Sequence, residues 1–286
     1  MSVPYSPTTR ADRADARHRR DRRHRAISGT SAIVVLGGLA VWILTSSGWP
    51  NVRRSFFSST VFIHSIGSVA SGFWLDVRMF VIVEAAVLVV ALLIALCRTV
   101  DVAALFPFKL LCIVFVDVMR GVPTILLIFL IGFAVPALQL SGVPSSAIVL
   151  GCIALCMCYS AYVSEVFRAG IQSVHPSQGG AALALGLTRT QALRHVILPQ
   201  AVRRVVPPLL NDFISLQKDV ALVSILGPLE AFRFAQVYAD QYFNYTPIIG
   251  AAMLYLCVTI PLTRVVDHMQ ARTLRQRGGM LALGPR

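Results

Sequence analysis

Charge is scarce in this chain. Asp, Glu, Lys and Arg make up 14% of its 286 residues, against 56% hydrophobic residues and a mean hydropathy of +0.71. A soluble domain carries about 25% charge on average, so the composition speaks against a soluble fold. Patterns that carry chemistry are also missing: there is no His-Glu-x-x-His pair, no Gly-rich phosphate cradle and no Ser/His/Asp set. The six cysteines (Cys97, Cys112, Cys152, Cys156, Cys158, Cys257) lie in or beside apolar runs, without histidines at metal-ligand spacing. In such runs a thiol behaves as a small apolar side chain, so neither a disulfide framework nor a metal centre is expected.

What the chain does have is apolar runs of the roughly 20 residues that cross a bilayer. Six spans are read: Ile27 to Gly48, Val77 to Cys97, the stretch from Arg120-Gly121-Val122-Pro123 to Leu140, Ala147 to Phe167, Pro207 or Pro208 to Leu229, and Pro247 to Val266. The fold class is therefore an all-α, polytopic transmembrane helical bundle. Residues 49–76 read as a mixed segment outside the membrane or along its surface. Residues 98–119 read as a connection with a partly amphipathic helix. A basic stretch ahead of an apolar run also fits a signal peptide. No obvious small-x-small cleavage site follows Leu44, and the basic region is long, so the first run is read as a retained span.

The net charge of +13 is placed unevenly. Eight arginines lie between Arg10 and Arg25, mixed with Asp12, Asp15 and Asp21, ahead of the first run. With the N-terminus inside, Arg98, Lys109, Arg120, Arg168, Arg189, Arg194, Arg203 and Arg204 also fall inside. Only Arg53, Arg54, Arg78 and Arg233 fall at or beyond the outer edge. That asymmetry is what membrane insertion selects. It favours a solvated, lipid-attracted tail over a nucleic-acid partner, and it puts both termini in the cytoplasm.

The most informative stretch lies between the fourth and fifth spans. Pro176-Ser177 can open a short helix with Ser177 as N-cap, and Gly186 can close it in the left-handed region. Its side chains are almost all small, and a helix so short is marginal in water, so it reads as an element that docks into a partner's groove. A second helix runs from about Thr188 to Ile197 and ends at the breaker Pro199. Further on, Asn211, Ser215, Lys218 and Leu222 recur at i, i+4, i+7 and i+11 and share one helix face.

These residues carry a resemblance. Ser177-Gln178, Gly180-Ala181-Ala182 and Ala184-Leu185-Gly186 resemble, without a gap, the EAA loop of ABC-importer permeases of the polar-amino-acid type. Leu198-Pro199-Gln200-Ala201, Pro208, Asn211 and Lys218-Asp219 match the family's continuation. Upstream, Arg120-Gly121-Val122-Pro123 and Ala161-Tyr162 with Glu165, Arg168 and Gly170 match its earlier elements. The similarity covers about 76–270. It departs at Gly180, where the family has glutamate, at Ser177, where it has glycine, and at Val220-Ala221, where it has Thr-Ser. Gly180 removes an acidic contact and weakens the helix by roughly 1 kcal/mol relative to Ala.

The resemblance implies a type I importer permease in a bacterial cytoplasmic membrane. Its parts would be a cytoplasmic tail (1–26), an extra span with an outer connecting segment (27–75), and a five-span core (76–270) whose coupling loop is 169–206. A cytoplasmic tail (271–286) would follow. The implied partners are an ABC ATPase dimer that holds the ATP and Mg, a second permease subunit (identical or related), a solute-binding protein outside, an amino-acid substrate and the bilayer. Ser177, Gln178, Gly180, Ala181, Ala182, Leu185 and Gly186 would couple to the ATPase. Arg120, Gly121, Pro123, Glu165, Arg168 and Pro199 would be gate or structural residues, with Glu165 and Arg168 paired at i and i+3.

Glu84, Asn211, Ser215, Lys218 and Asp219 are candidates for the translocation path, because ionisable groups at membrane depth normally face a cavity or a partner. For Lys218 and Asp219 a structural ion pair is the other reading, and for Glu84 a pairing with an arginine or a place in the interfacial zone. Gly37-Gly38 in the first span suit either close packing or a locally weak helix. A secondary amino-acid transporter is the rival class, expected to show internal repeats across two halves. A membrane enzyme would need acids converging near one face, and here they are scattered.

Overall fold

The structure, a computed structural model, describes residues 28–281 apart from 32 and 100–102. The basic tail expected at 1–26 lies outside the described residues, as do residues 282–286. All regular elements among the described residues are helical. Two units divide the chain, 1–57 and 58–286. The first holds α1 (Ser28–Thr45), long and apolar enough to cross a membrane, and α2 (Trp49–Phe56).

The second unit begins with α3, a 41-residue helix from Ser59 to Thr99. The sequence reading started this span at Val77, and the helix starts 18 residues earlier (77 − 59 = 18). The early part escaped notice because it is not uniformly apolar. Its face of Ser65, Val69, Gly72 and Asp76 is buried by packing on later helices, at the steps of three and four that one helix face requires. The apolar half below it buries Met79, Val83, Val87 and Ala91 at the same spacing.

Helix α4 (Phe106–Gly121) ends at Val122-Pro123, where the chain turns through 107° into α5 (Thr124–Phe129). A π segment (Leu130–Ala134) and a single turn, α6 (Val135–Ala137), complete that span. The turn has a direct cause, since a residue before proline is driven out of the helical region, and Val122 is extended at φ −101, ψ 133. Helix α7 (Ala147–Gln172) is the central element. It packs along α3, with Leu155, Tyr159 and Val163 in the same buried cluster as Met79 and Val87.

After α7 come two short helices, α8 (Pro176–Ala184) and α9 (Arg189–Ala192), then a π segment (Leu193–Ile197) that leads into α10 (Leu198–Asp219). The fifth span was expected to start at Pro207 or Pro208, with Pro199 breaking the helix before it. Instead Pro199 sits in the first turn of α10, where a missing N–H costs nothing, and Pro207 and Pro208 lie inside the helix. Each removes an i−4 hydrogen bond, which membrane helices tolerate because neighbours satisfy the freed carbonyls.

Helix α10 gives way to a seven-residue 3-10 segment (Val220–Leu226), closed by Gly227 at φ +104. Leu222 falls in that segment, so the expected stripe keeps its helical register only through Lys218. A helix absent from the sequence reading follows, α11 (Ala231–Tyr242), bent 49° from the preceding rod. The last helix, α12 (Thr246–Leu281), contains Pro261 and runs on beyond the expected sixth span. Among the described residues four helices are long and apolar enough to cross a membrane, or up to six if each bent pair counts as one span.

Candidate functional site

Three groups of side chains at three levels of the bundle make up the candidate site. The first is the short helix α8. Pro176 occupies its first turn, so the cap falls one residue before it. His175 Nδ1 accepts from the Ser177 N–H at 3.2 Å and meets the Ser177 hydroxyl at 2.7 Å. The expected cap at Ser177 thus moves to His175, because proline favours N1 and puts the cap ahead of itself. Gly186, at φ +84, ends the helix in the left-handed region, with the Leu187 N–H returning to the Ala182 carbonyl at 3.2 Å.

A reciprocal cap opens α9. Gln191 Oε1 accepts from the Thr188 N–H at 2.9 Å, and Thr188 Oγ1 accepts from the Gln191 N–H at 3.3 Å. Ala182 is 4% exposed and Ala192 is also buried, so one side of α8 rests on its own loop. Gln200 donates to Gln178 Oε1 at 3.4 Å. Ser177, Gly180, Ala181 and Leu185 remain exposed, Leu185 at 84%, and open space lies beside Gly180.

The second group stands where α3, α4 and α7 meet. Glu165 accepts from Arg168 Nη2 at 2.6 Å and from its Nε at 3.1 Å, and it also bonds Arg98 of α3. The i, i+3 pair was legible; the second arginine, 67 residues away in sequence, was not. Arg168 continues to Gln172 Oε1 at 2.8 Å. Arg204 of α10 donates to the Ser173 carbonyl at the end of α7, where Gly170 admits Val205 against the backbone. Beside the Gly121–Pro123 turn, Arg120 lies over the Tyr162 ring at 5.7 Å, and Tyr162 Oη donates to the Arg120 carbonyl at 3.4 Å.

The third group lies within the bundle. Lys218 and Asp219 point apart, which sets aside a pair between them: Asp219 Oδ2 accepts from Tyr159 Oη at 2.8 Å, while Lys218 is exposed and bonds to no other described residue. Asn211 is exposed and Ser215 half-buried on the same face. Glu84 pairs with no arginine among the described residues, and Asp212 stands close enough to repel it. Asp212 was missed, and its Oδ2 is buried without a hydrogen bond. Thr259 of α12 donates to the buried Gln217 at 2.9 Å. The signal for Asp212 is present in the sequence as an acid next to Asn211 in α10.

A further buried set was also missed. Glu230 is 0% exposed and caps α11 by accepting from the Phe232 and Arg233 N–H groups at 2.8 and 2.6 Å. Tyr255 of α12 donates to Asp76 Oδ2 at 2.7 Å. Gly72, one turn before Asp76, lets α3 press on this corner. A methyl group there would come within 2.6 Å of the Ala231 nitrogen and the Glu230 carbonyl carbon.

Residues 102–275 match the family described as binding-protein-dependent transport system inner membrane component. A probable glutamine ABC transporter permease protein of Bacillus subtilis is 33% identical over 204 residues, covering 70% of this chain and 91% of the relative. A probable amino-acid ABC transporter permease protein of Sinorhizobium fredii is 39% identical over 158 residues, covering 54% of this chain and 67% of the relative. Among solved structures, a chain of an amino acid ABC transporter crystallised with histidines superposes with a TM-score of 0.68 at 30% identity. It is matched over 98% of its length by 75% of this chain.

Proposed function

The chain belongs to the family of binding-protein-dependent transport inner membrane components, and from that premise we propose that it is the permease subunit of an ATP-binding-cassette importer for a polar amino acid. It moves its substrate inward across the cytoplasmic membrane by alternating access, with both termini inside. ATP and Mg are held by an ABC ATPase dimer, and hydrolysis occurs there. A second permease subunit, identical or related, completes the pathway, and a solute-binding protein delivers the amino acid from outside.

The observation that carries this reading is α8. It is a capped nine-residue helix whose inner side rests on its own loop, while Ser177, Gly180, Ala181 and Leu185 face outward. A helix that exposes small side chains together with Leu183 and, at its C-cap, Leu185 at 84% has an unfilled apolar contact, and a cleft in the ATPase fills it. Closure of the ATPase dimer then pushes on α8. The push passes through α9 and the π segment into α10, with no break at Pro199, and reaches the face with Asn211, Ser215 and Lys218. An exposed ammonium at membrane depth needs a counter-charge or water. Here Lys218 faces the shared pathway and meets the substrate carboxylate, while Glu84 and Asp212 form the acidic wall for its ammonium group.

The test is uptake of labelled amino acids into cells that hold the chain with its ATPase, compared with Ala181→Arg and Leu185→Asp. Both positions are exposed, so the variants insert normally, unlike changes at the buried Ala182 or the left-handed Gly186. Loss of uptake with normal insertion supports the coupling assignment. Uptake that persists without the ATPase overturns the importer reading in favour of a secondary transporter.

A further inference from the structure

On the flank of the bundle, α3 and α7 leave a groove of about 480 Å³. Met79, Ile82 and Ala86 of α3 form one wall, and Ile148, Cys152 and Cys156 of α7 form the other. The small side chains of Ala86, Cys152 and Cys156 are what make it hollow. Every lining residue is apolar except Arg78, which stands at one end.

The two helices run in the same direction, because the Arg98–Glu165 bond joins their C-terminal ends. Arg78 and Ile148 therefore mark the same end of the groove, and Ala86 and Cys156 the other. Eight residues of helix rise about 12 Å, most of one leaflet of a hydrocarbon core about 30 Å thick. Arg78 also stands at the start of the apolar run of α3, which only Glu84 interrupts before Arg98, and the span read from Val77 puts it beside the lipid headgroups. Its side chain is exposed and joins no other described residue in a hydrogen bond or ion pair.

We infer that this groove seats one anionic phospholipid, its phosphate held by Arg78 and an acyl chain lying between α3 and α7. Guanidinium matches phosphate oxygens with two parallel hydrogen bonds. The groove gives the chain a fixed apolar bed that a smooth helix face lacks, and the open surface beside it, with Ile82 at 66% exposure, is ordinary lipid contact. The occupant is an annular lipid with a defined address, separate from the transported amino acid.

The experiment is native mass spectrometry of the assembled transporter, titrated with phosphatidylglycerol or phosphatidylethanolamine. Wild type is expected to retain phosphatidylglycerol about fivefold better, the factor one basic side chain contributes at an anionic surface. Arg78→Gln should abolish that preference and Arg78→Lys keep most of it. Cys152→Phe, which fills the groove, should release both lipids. If Cys152→Phe does not fold, the Arg78 pair alone decides. Retention that ignores both headgroup and Arg78 overturns the proposal. So does a cross-link between two permease copies through Ile153→Cys, since a second chain would then cover the groove.

Discussion

Tyr159 of α7 donates its hydroxyl proton to Asp219 at the last residue of α10, 2.8 Å away, where that helix tightens into a 3-10 segment. Long 3-10 runs are uncommon and often mark hinges. The bond ties this change of winding to the central helix. Tyr159→Phe leaves the Asp219 carboxylate short of a donor, at a cost of about 1–3 kcal/mol. A lower melting temperature of the purified transporter is expected, with a larger drop than for Asp219→Asn, and both variants should slow uptake.

The grip of Arg98 and Arg168 on Glu165 couples two helices far apart in sequence. All three side chains are largely shielded, with relative exposures of 12%, 32% and 17% for Arg98, Arg168 and Glu165. Removing one member of such a set strands the others. A double-mutant cycle on Arg98→Ala and Glu165→Ala should yield a coupling of about 1 kcal/mol or more. Additive losses in thermal stability would mean that the contact contributes nothing.

Gly72 and Gly67 lie on the same helix and should respond in opposite ways. A methyl on Gly72 collides with the backbone of Glu230 and Ala231, whereas one on Gly67 meets nothing within 4 Å. Gly72→Ala is expected to cost about 1–3 kcal/mol, as overpacking does. Gly67→Ala should be neutral or should gain up to about 1 kcal/mol from helix propensity. Melting curves of the two variants side by side check this.

At Gly180 the family glutamate can be restored. The site is open and helical, so Gly180→Glu fits without strain and gains about 0.5 kcal/mol of helix propensity. Tighter association with the ATPase and higher uptake per ATP hydrolysed are the expected results, read by co-purification and by paired flux assays. Weaker association would mean that the partner's groove has adapted to the missing side chain.

Much of this architecture was legible from hydropathy and breakers. The runs around Ala32–Leu44, Ala147–Phe167 and Pro247–Val266 are apolar enough to reveal themselves, and the third span is read to begin at Val122-Pro123, though the sharp turn there is not. The segment from Ser59 to Asp76 did not, because its helix is held by tertiary contacts of Val69, Gly72 and Asp76 with α11 and α12 rather than by a continuous apolar run. Prolines misled in the opposite sense: Pro199, Pro207 and Pro208 read as boundaries, yet packing carries the helix through them. In the site, local pairs such as Glu165 with Arg168 follow from spacing. Arg98 with Glu165, Tyr159 with Asp219 and Tyr255 with Asp76 bridge separations of 67, 60 and 179 residues, which no local pattern encodes.

The length of α3 has one more consequence. Forty-one residues of unbroken helix make a rod about 60 Å long, with no proline to bend it, held partway along at Gly72 and Asp76 by the α11 corner and near its far end at Arg98 by the Glu165 clasp. A stiff bar of that kind cannot absorb a displacement at one end; it pivots. Its fulcrum is the tightly packed stretch from Met79 to Ala91 against α7, so that whatever swings the Arg98 end one way swings the Ser59 end the other. Opening on one side of the membrane and shutting on the other are then two ends of a single see-saw.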